Sequence, residues 1–296
     1  MVGDVAVAST VSPPRIGAKS GLYSASSRPD EVTDLKGVVL CGGTGSRLLP
    51  LTKVTNKHLL RIGPRVMADY PIDKLISAGI REILIVTGVE HAGAIISYFG
   101  SGRDRDCEFT YRVQDRAGGI AEALGLARGF ASGGKICVVL GDNLFEDSLE
   151  PFVSDFASQY GGARVLLKRV PDPERFGVAE IRIDGSEDSG SIVGIEEKPT
   201  TPKSDLAVVG VYFYSPDVFD IISDLHSSAR GEKEITDVNA EYIRRGQLHY
   251  NILTGWWTDA GTFASLEKAS ELVRGSQGSR SPIGTEEGGR DRHDAL

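Results

Sequence analysis

The chain has 296 residues, a formal net charge of -8, 40% hydrophobic and 25% charged residues, an ordinary globular composition with enough apolar content for a core. The acidic balance speaks against a protein that wraps nucleic acid, though it leaves room for a local cationic pocket. No apolar run approaches the roughly 18 residues that span a bilayer, and Cys41, Cys107 and Cys137 are too scattered to signal a zinc site or a disulfide framework.

Residues 1–34 are rich in Ser, Gly, Pro and Ala and short of large apolar groups, so a flexible tail is expected there. Asp4 stands early and no basic region precedes a sustained apolar core, so no secretory signal is expected. Scattered cysteines fit a reducing cytoplasm. The folded unit is expected over residues 35–274, and residues 275–296, of the same composition as the first segment, are expected to form a second flexible tail.

Within the unit, strands rich in β-branched residues are predicted at 37–41, 82–88, 108–113 and 135–142. Helices are predicted between them at 70–80, 91–100 and 118–130, with Pro71 suited to a first turn and Gly79 to a helix end. This alternation predicts an α/β fold with a parallel sheet covered on both faces. From Ala163 onward the pattern changes to strands joined by turns, at 163–170, 177–184, 191–199 and 206–215, which predicts a mixed or antiparallel part. Helices at 216–226, 234–245 and 261–273 complete the unit.

The segment "CGGTGSR" stops the first strand on glycines and is followed by Arg47, Lys53 and Lys57. Ligands of open parallel sheets bind beyond the carboxyl ends of the strands. Glycines let a backbone approach a phosphate and aim its N–H groups at it. The segment is not a Walker loop, and Leu48 stands where a dinucleotide fingerprint needs its third glycine. Spacing alone leaves two readings open, a phosphate loop and a plain turn with solvated cations. Asp142 in "VVLGDN" reads equally as a turn carboxylate. The Gln114 amide can both donate and accept, which matches a pyrimidine edge, or it is a surface loop residue. Glu197 and Lys198 are successive strand residues, so both reach one ligand only where the strand ends. Pro199 favours such an end, and an exposed charged terminus is the alternative.

"GVVLCGGTGSRLLPLT" followed by "NKHLL", "GGIAEAL", "VLGDN", "PERFGVAE", "EEKP", "GVYFY", "RGEKEITDVN" and "WWTDAGT" resembles, in order, the sugar-1-phosphate nucleotidyltransferases. The resemblance is strongest to the glucose-1-phosphate thymidylyltransferases and covers nearly the whole folded unit. It implies a Rossmann-like, mostly parallel central sheet over about residues 35–160 and a smaller sugar-binding part over about 161–274. The implied reaction is in-line attack by a sugar 1-phosphate on the α-phosphorus of a nucleoside triphosphate, with release of pyrophosphate. The substrates implied are dTTP and glucose 1-phosphate, with UTP or another hexose 1-phosphate as an alternative.

The resemblance also assigns residues. Arg47, Lys57 and Asp142 are catalytic; Leu40, Gly42, Gly43, Gly45, Gln114 and Gly119 hold the nucleotide; Gly177, Glu197, Lys198 and Arg230 hold the sugar phosphate. Asp142 and Asp259 together bind Mg2+. Neither nucleic acid nor membrane is an expected partner, and a homo-oligomer is left open. The base-site loop departs from the common family form, with Asp115, Arg116 and Ala117 in place of prolines around the glutamine, and Arg61 replaces another proline. Many relatives continue into further helices that form a second nucleotide-sugar site, which the Gly- and Ser-rich stretch from Gly275 is not expected to supply. An inactive nucleotide-sugar-binding regulatory paralogue is the rival from another class, and the intact Arg47, Lys57, Asp142 and Asp259 set speaks against it.

Overall fold

The computed structural model describes residues 34–183, 190–228 and 231–278. Strand β1 (Lys36–Cys41) leads through the glycine turn to a short hairpin, β2 (Arg61–Ile62) and β3 (Arg65–Val66), and to helix α1 (Asp69–Ser77). Strand β4 (Glu82–Gly88), helix α2 (Ala92–Phe99) and strand β5 (Glu108–Gln114) follow, then helices α3 (Ile120–Gly125) and α4 (Arg128–Ala131) and strand β6 (Ile136–Leu140). Next come β7 (Asn143–Phe145), α5 (Glu150–Ser158), β8 (Ala163–Arg169), β9 (Gly177–Arg182), β10 (Ser191–Glu197) and β11 (Leu206–Tyr214). Helices α6 (Val218–Asp224) and α7 (Ile235–Arg244), strands β12 (Leu248–Ile252) and β13 (Trp257–Asp259), and helix α8 (Phe263–Gly278) complete the described part.

The α/β expectation holds. β5, β4, β1 and β6 lie side by side and parallel, joined by the helical connections that parallel neighbours need. Alternate β1 residues face opposite sides. Val38 and Leu40 join a core with α3, α6 and α7, and Val39 and Cys41 join one with α1, α2 and α5. Burial pushes the Cys41 thiol up to about 12, so it packs as a small apolar group, and Cys137 is likewise buried and free.

Two differences from the predicted elements have local causes. The 118–130 helix is two short helices, broken after Gly125, a weak helix former. The last helix runs to Gly278 rather than stopping near Arg274, and Ser276 Oγ accepts from Trp256 Nε1 at 3.0 Å. The order of the folded unit therefore extends past residue 274. Most of the two predicted tails lies outside the described residues.

β11 organises the sheet. On one edge it pairs with β8, interrupted by a register shift between Val208 and Tyr212. Tyr212 is opposite both Val165 of β8 and Val138 of β6, and Ala207 is opposite both Lys168 of β8 and Val178 of β9. β6 and β9 therefore share the other edge of β11, at opposite ends. Residues 208–210 lie between them with no strand neighbour on that side. β10 flanks β9 and β12 flanks β8, so all nine strands form one sheet. The end of β6 and the start of β9 meet at this gap, and the cleft opens there.

Candidate active site

A cleft of about 560 Å³ lies beyond the carboxyl ends of β1 and β6. It is lined by Leu40, Gly42, Gly43, Arg47, Lys57, Gln114, Gly119, Asp142, Gly177, Glu197, Lys198 and Asp259. Of the residues assigned from sequence, Gly45 is the one described residue that does not reach the wall. Its φ of 61° is left-handed, and a Cβ there would stand 2.8 Å from the Thr52 methyl. Thr52 Oγ1 also donates to the Gly45 carbonyl at 2.8 Å. Gly45 thus shapes the loop that Gly43 presents. Arg230 lies outside the described residues.

Lys57 is placed by its neighbour. Asn56 caps a single 3-10 turn, accepting from the His58 N–H at 2.9 Å, while its amide donates to the Cys41 carbonyl at 3.1 Å. This ties the turn to the end of β1. Lys57 Nζ then meets Asp142 Oδ2 at 2.6 Å. Burial alone would raise the Asp142 carboxyl, but the Lys57 ammonium and a hydrogen bond from Asn143 outweigh it and hold the group well below the usual carboxylate range. His58 is buried beside Lys57, and burial first and that charge second push it down to about 3, so the imidazole is neutral.

The second carboxylate arrives by strand pairing. β13 runs antiparallel to β7 with Asp259 opposite Asn143, and the Ala260 N–H donates to the Asp142 carbonyl at 2.8 Å. Burial raises the Asp259 carboxyl, and the negative charge of Asp142 raises it further. Arg47 and Arg175 oppose that rise. Arg47 reaches this spot from the glycine loop: a Cβ on Gly261 would lie 3.2 Å from Arg47 Nη2 and 3.4 Å from Asp259 Oδ2.

At the other end, β10 stops at Glu197 and Lys198 has φ 46°, a left-handed residue that ends the strand. Its N–H donates to the Phe176 carbonyl at 2.9 Å, and its Nζ lies 3.3 Å from Glu197 Oε1. Both residues therefore line one cleft, despite the strand alternation that would separate them. Glu197 Oε2 accepts from Thr236 Oγ1 at 2.9 Å and lies 3.3 Å from where a Gly177 Cβ would be. A side chain at 177 would crowd the carboxylate.

Sequence reasoning missed several lining residues. Asn143 fills the bare edge of β11: its Oδ1 accepts from the Gly210 N–H at 3.0 Å and from Trp257 Nε1 at 2.8 Å, and its Nδ2 donates to Asp142 Oδ1 at 3.0 Å. Arg175 bridges Asp172 at 2.6 Å and Asp259 at 3.4 Å. Asn143 stood within the quoted "VLGDN" and Arg175 within "PERFGVAE", so motif position was the available signal.

The arrangement is a cationic mouth over paired carboxylates, with the charged Glu197 and Lys198 end on one side and the Gln114 wall on another. The chain belongs to the nucleotidyl transferase family, whose model matches residues 36–275. It is 40% identical to the glucose-1-phosphate thymidylyltransferase of Neisseria gonorrhoeae over 81% of this chain and 83% of that protein. A Bacillus anthracis structure assigned as a glucose-1-phosphate thymidylyltransferase, solved with sucrose, is 52% identical, with a TM-score of 0.76 over 81% of this chain and 95% of that one. A UDP-glucose pyrophosphorylase solved with UDP-glucose shares the fold at 24% identity, with a TM-score of 0.73 over 82% of this chain and 99% of that one. No helix among the described residues is long and apolar enough to cross a membrane.

Proposed function

We propose that the chain joins dTTP to glucose 1-phosphate, giving dTDP-glucose and pyrophosphate. The observation that carries this reading is one cleft holding the Gln114 and Gly119 wall, the Arg47 and Lys57 cations, and the Glu197 and Lys198 end. Both substrates are anions, so the protein must offset their repulsion and align attacker with leaving group. Lys198 holds the sugar phosphate while Glu197 and the Gly177 backbone read hydroxyls. Arg47 and Lys57 stabilise the charge that grows around the α-phosphorus as the oxygen–phosphorus bond to pyrophosphate breaks. No covalent nucleophile is required.

Asp142 and Asp259 fit a magnesium ion: both are oxygen donors, and they lie close enough for one to raise the other's carboxyl. Among the described residues no group of three or more His, Cys, Asp or Glu could hold a metal, so triphosphate oxygens and water would complete the ligand set. When bound, the ion would neutralise phosphate charge and orient the chain of phosphates. Lys57, which here pairs with Asp142, would be free to meet a phosphate oxygen once Asp142 served the ion.

Pyrophosphate release measured over four nucleoside triphosphates and several sugar 1-phosphates tests the reading. The dTTP and glucose 1-phosphate pair is expected to give the highest kcat/KM. Release with no pair at all would refute an enzyme and leave the regulatory paralogue. UTP is the second reading, since uracil differs from thymine by one methyl group, and the same assay separates it.

A further inference from the structure

Gln114 is buried at the end of β5 and faces the cleft. Its Nε2 lies 3.4 Å from the Gly119 carbonyl oxygen and 3.3 Å from Glu122 Oε1. Both neighbours can only accept, so that end of the amide must be the NH2 group, whichever way a free glutamine would turn. The opposite end, Oε1, lies near Gly42, where an added Cβ would stand 3.0 Å away. Gln114 therefore offers the cleft an acceptor and no donor.

Glu122 reaches this position because Gly118 is empty. A Cβ at Gly118 would stand 2.1 Å from Glu122 Oε1 and 2.2 Å from Oε2, so a side chain there would displace the carboxylate from this position. Arg116 Nη2 lies 3.6 Å from Glu122 Oε2 on the outer side. The carboxylate is thus folded back under the base-site loop, in the stretch where Asp115, Arg116 and Ala117 replace the expected prolines.

We propose that Glu122, with Gly118 making room for it, is a positioning residue that sets base selectivity by locking the Gln114 amide with its carbonyl toward the nucleotide. This rests on the reading of the chain as a pyrimidine nucleotidyltransferase. Thymine and uracil carry an imino N–H at N3 that can donate to the locked carbonyl. Cytosine carries an acceptor at N3 and meets it with repulsion. With the lock removed, the amide can turn and present its NH2 to cytosine.

The test compares kcat/KM for dTTP, UTP and dCTP, each with glucose 1-phosphate and magnesium, in wild type, Glu122→Ala, Glu122→Gln and Gly118→Ala. In Glu122→Ala the ratio of dTTP to dCTP is expected to fall roughly tenfold, the scale of one buried hydrogen bond, mainly through the KM for dTTP. The KM for glucose 1-phosphate is expected to hold, which a general loss of structure would not allow. Glu122→Gln, whose amide can accept or donate, fills the space without fixing one orientation, and is expected to give a ratio between wild type and Glu122→Ala. Gly118→Ala keeps the carboxylate but fills its space, and is expected to shift the ratio in the direction of Glu122→Ala. It also carries the test should Glu122→Ala fail to fold. A wild-type ratio that survives both Glu122→Ala and Gly118→Ala overturns the inference alone. A wild type that prefers a purine triphosphate overturns the pyrimidine reading and the inference with it.

Discussion

Replacing Asn143 by alanine removes an acceptor shared by two buried donors. Asn143 is 3% exposed, and Gly210 N–H and Trp257 Nε1 both rely on its Oδ1, at 3.0 and 2.8 Å. Residues 208–210 have no strand neighbour on that edge, so the Gly210 N–H has no ladder to fall back on. Each orphaned donor costs about 1–3 kcal/mol, giving about 2–6 kcal/mol for the pair. That is a large share of the roughly 5–15 kcal/mol that holds a typical domain together. At about 2–4 °C per kcal/mol for a domain of this size, the melting temperature should fall by roughly 5–20 °C. Trp257→Phe, by contrast, removes one donor and leaves Asn143 paired with Gly210, so its hydrogen-bond loss should be near 1 kcal/mol. The double variant has no orphaned indole, so it should be less unstable than the sum of the single ones. Scanning fluorimetry of the four proteins decides the matter. A melting temperature for Asn143→Ala within 2 °C of wild type (about 1 kcal/mol), or strict additivity in the double variant, would refute the reasoning.

Asp142→Asn and Asp259→Asn are each expected to lower turnover by roughly a hundredfold or more while circular dichroism stays native; near-normal turnover in magnesium would remove both from the metal assignment. Lys57→Met leaves Asp142 buried without its cation. The folded Asp142 carboxyl is held low, so the pair contributes stability above about pH 4 that is lost as pH falls through the folded value. The stability difference between wild type and Lys57→Met, followed by urea titration, should therefore be largest near neutral pH and shrink on acidification; a difference independent of pH would contradict it. Cutting the chain after Arg274 removes the Ser276 partner of Trp256 and should lower the melting temperature by a few degrees, about 1 kcal/mol, whereas cutting after Gly278 should leave melting and turnover unchanged.

The parallel half of the fold was legible because β1, β4 and β6 are buried on both faces and read as unbroken apolar runs. β7 and β13 were not, since strands of three residues carry too little periodicity to detect, yet their pairing brings Asp142 beside Asp259. The glycine loop and its cations were visible in the sequence, but spacing alone left a phosphate loop and a plain turn both open, and the motif resemblance decided between them. The role of Asn143 was not visible, because it comes from an unfilled strand edge that only the register reveals. Arg175 carried no signal beyond its place in the motif, since its partner Asp259 lies 84 residues further along the chain. Pro199 marked the strand end that lets Glu197 and Lys198 share one cleft, while the left-handed backbone at Lys198 that completes the turn has no signal in the sequence.

Because β6 and β9 close onto the same strand, the chain does not come apart where its composition changes. Residues 35–160 supply β6, but its neighbour β11 comes from the other half of the sequence. A fragment ending near residue 160 would leave β6 with an open edge, prone to pair with any other strand in reach. Recombination between relatives that sought a new sugar preference would thus have to carry β8, β9, β10 and β11 as one block. Even then the graft would succeed only where the recipient offers an Asn143 to meet the incoming Gly210.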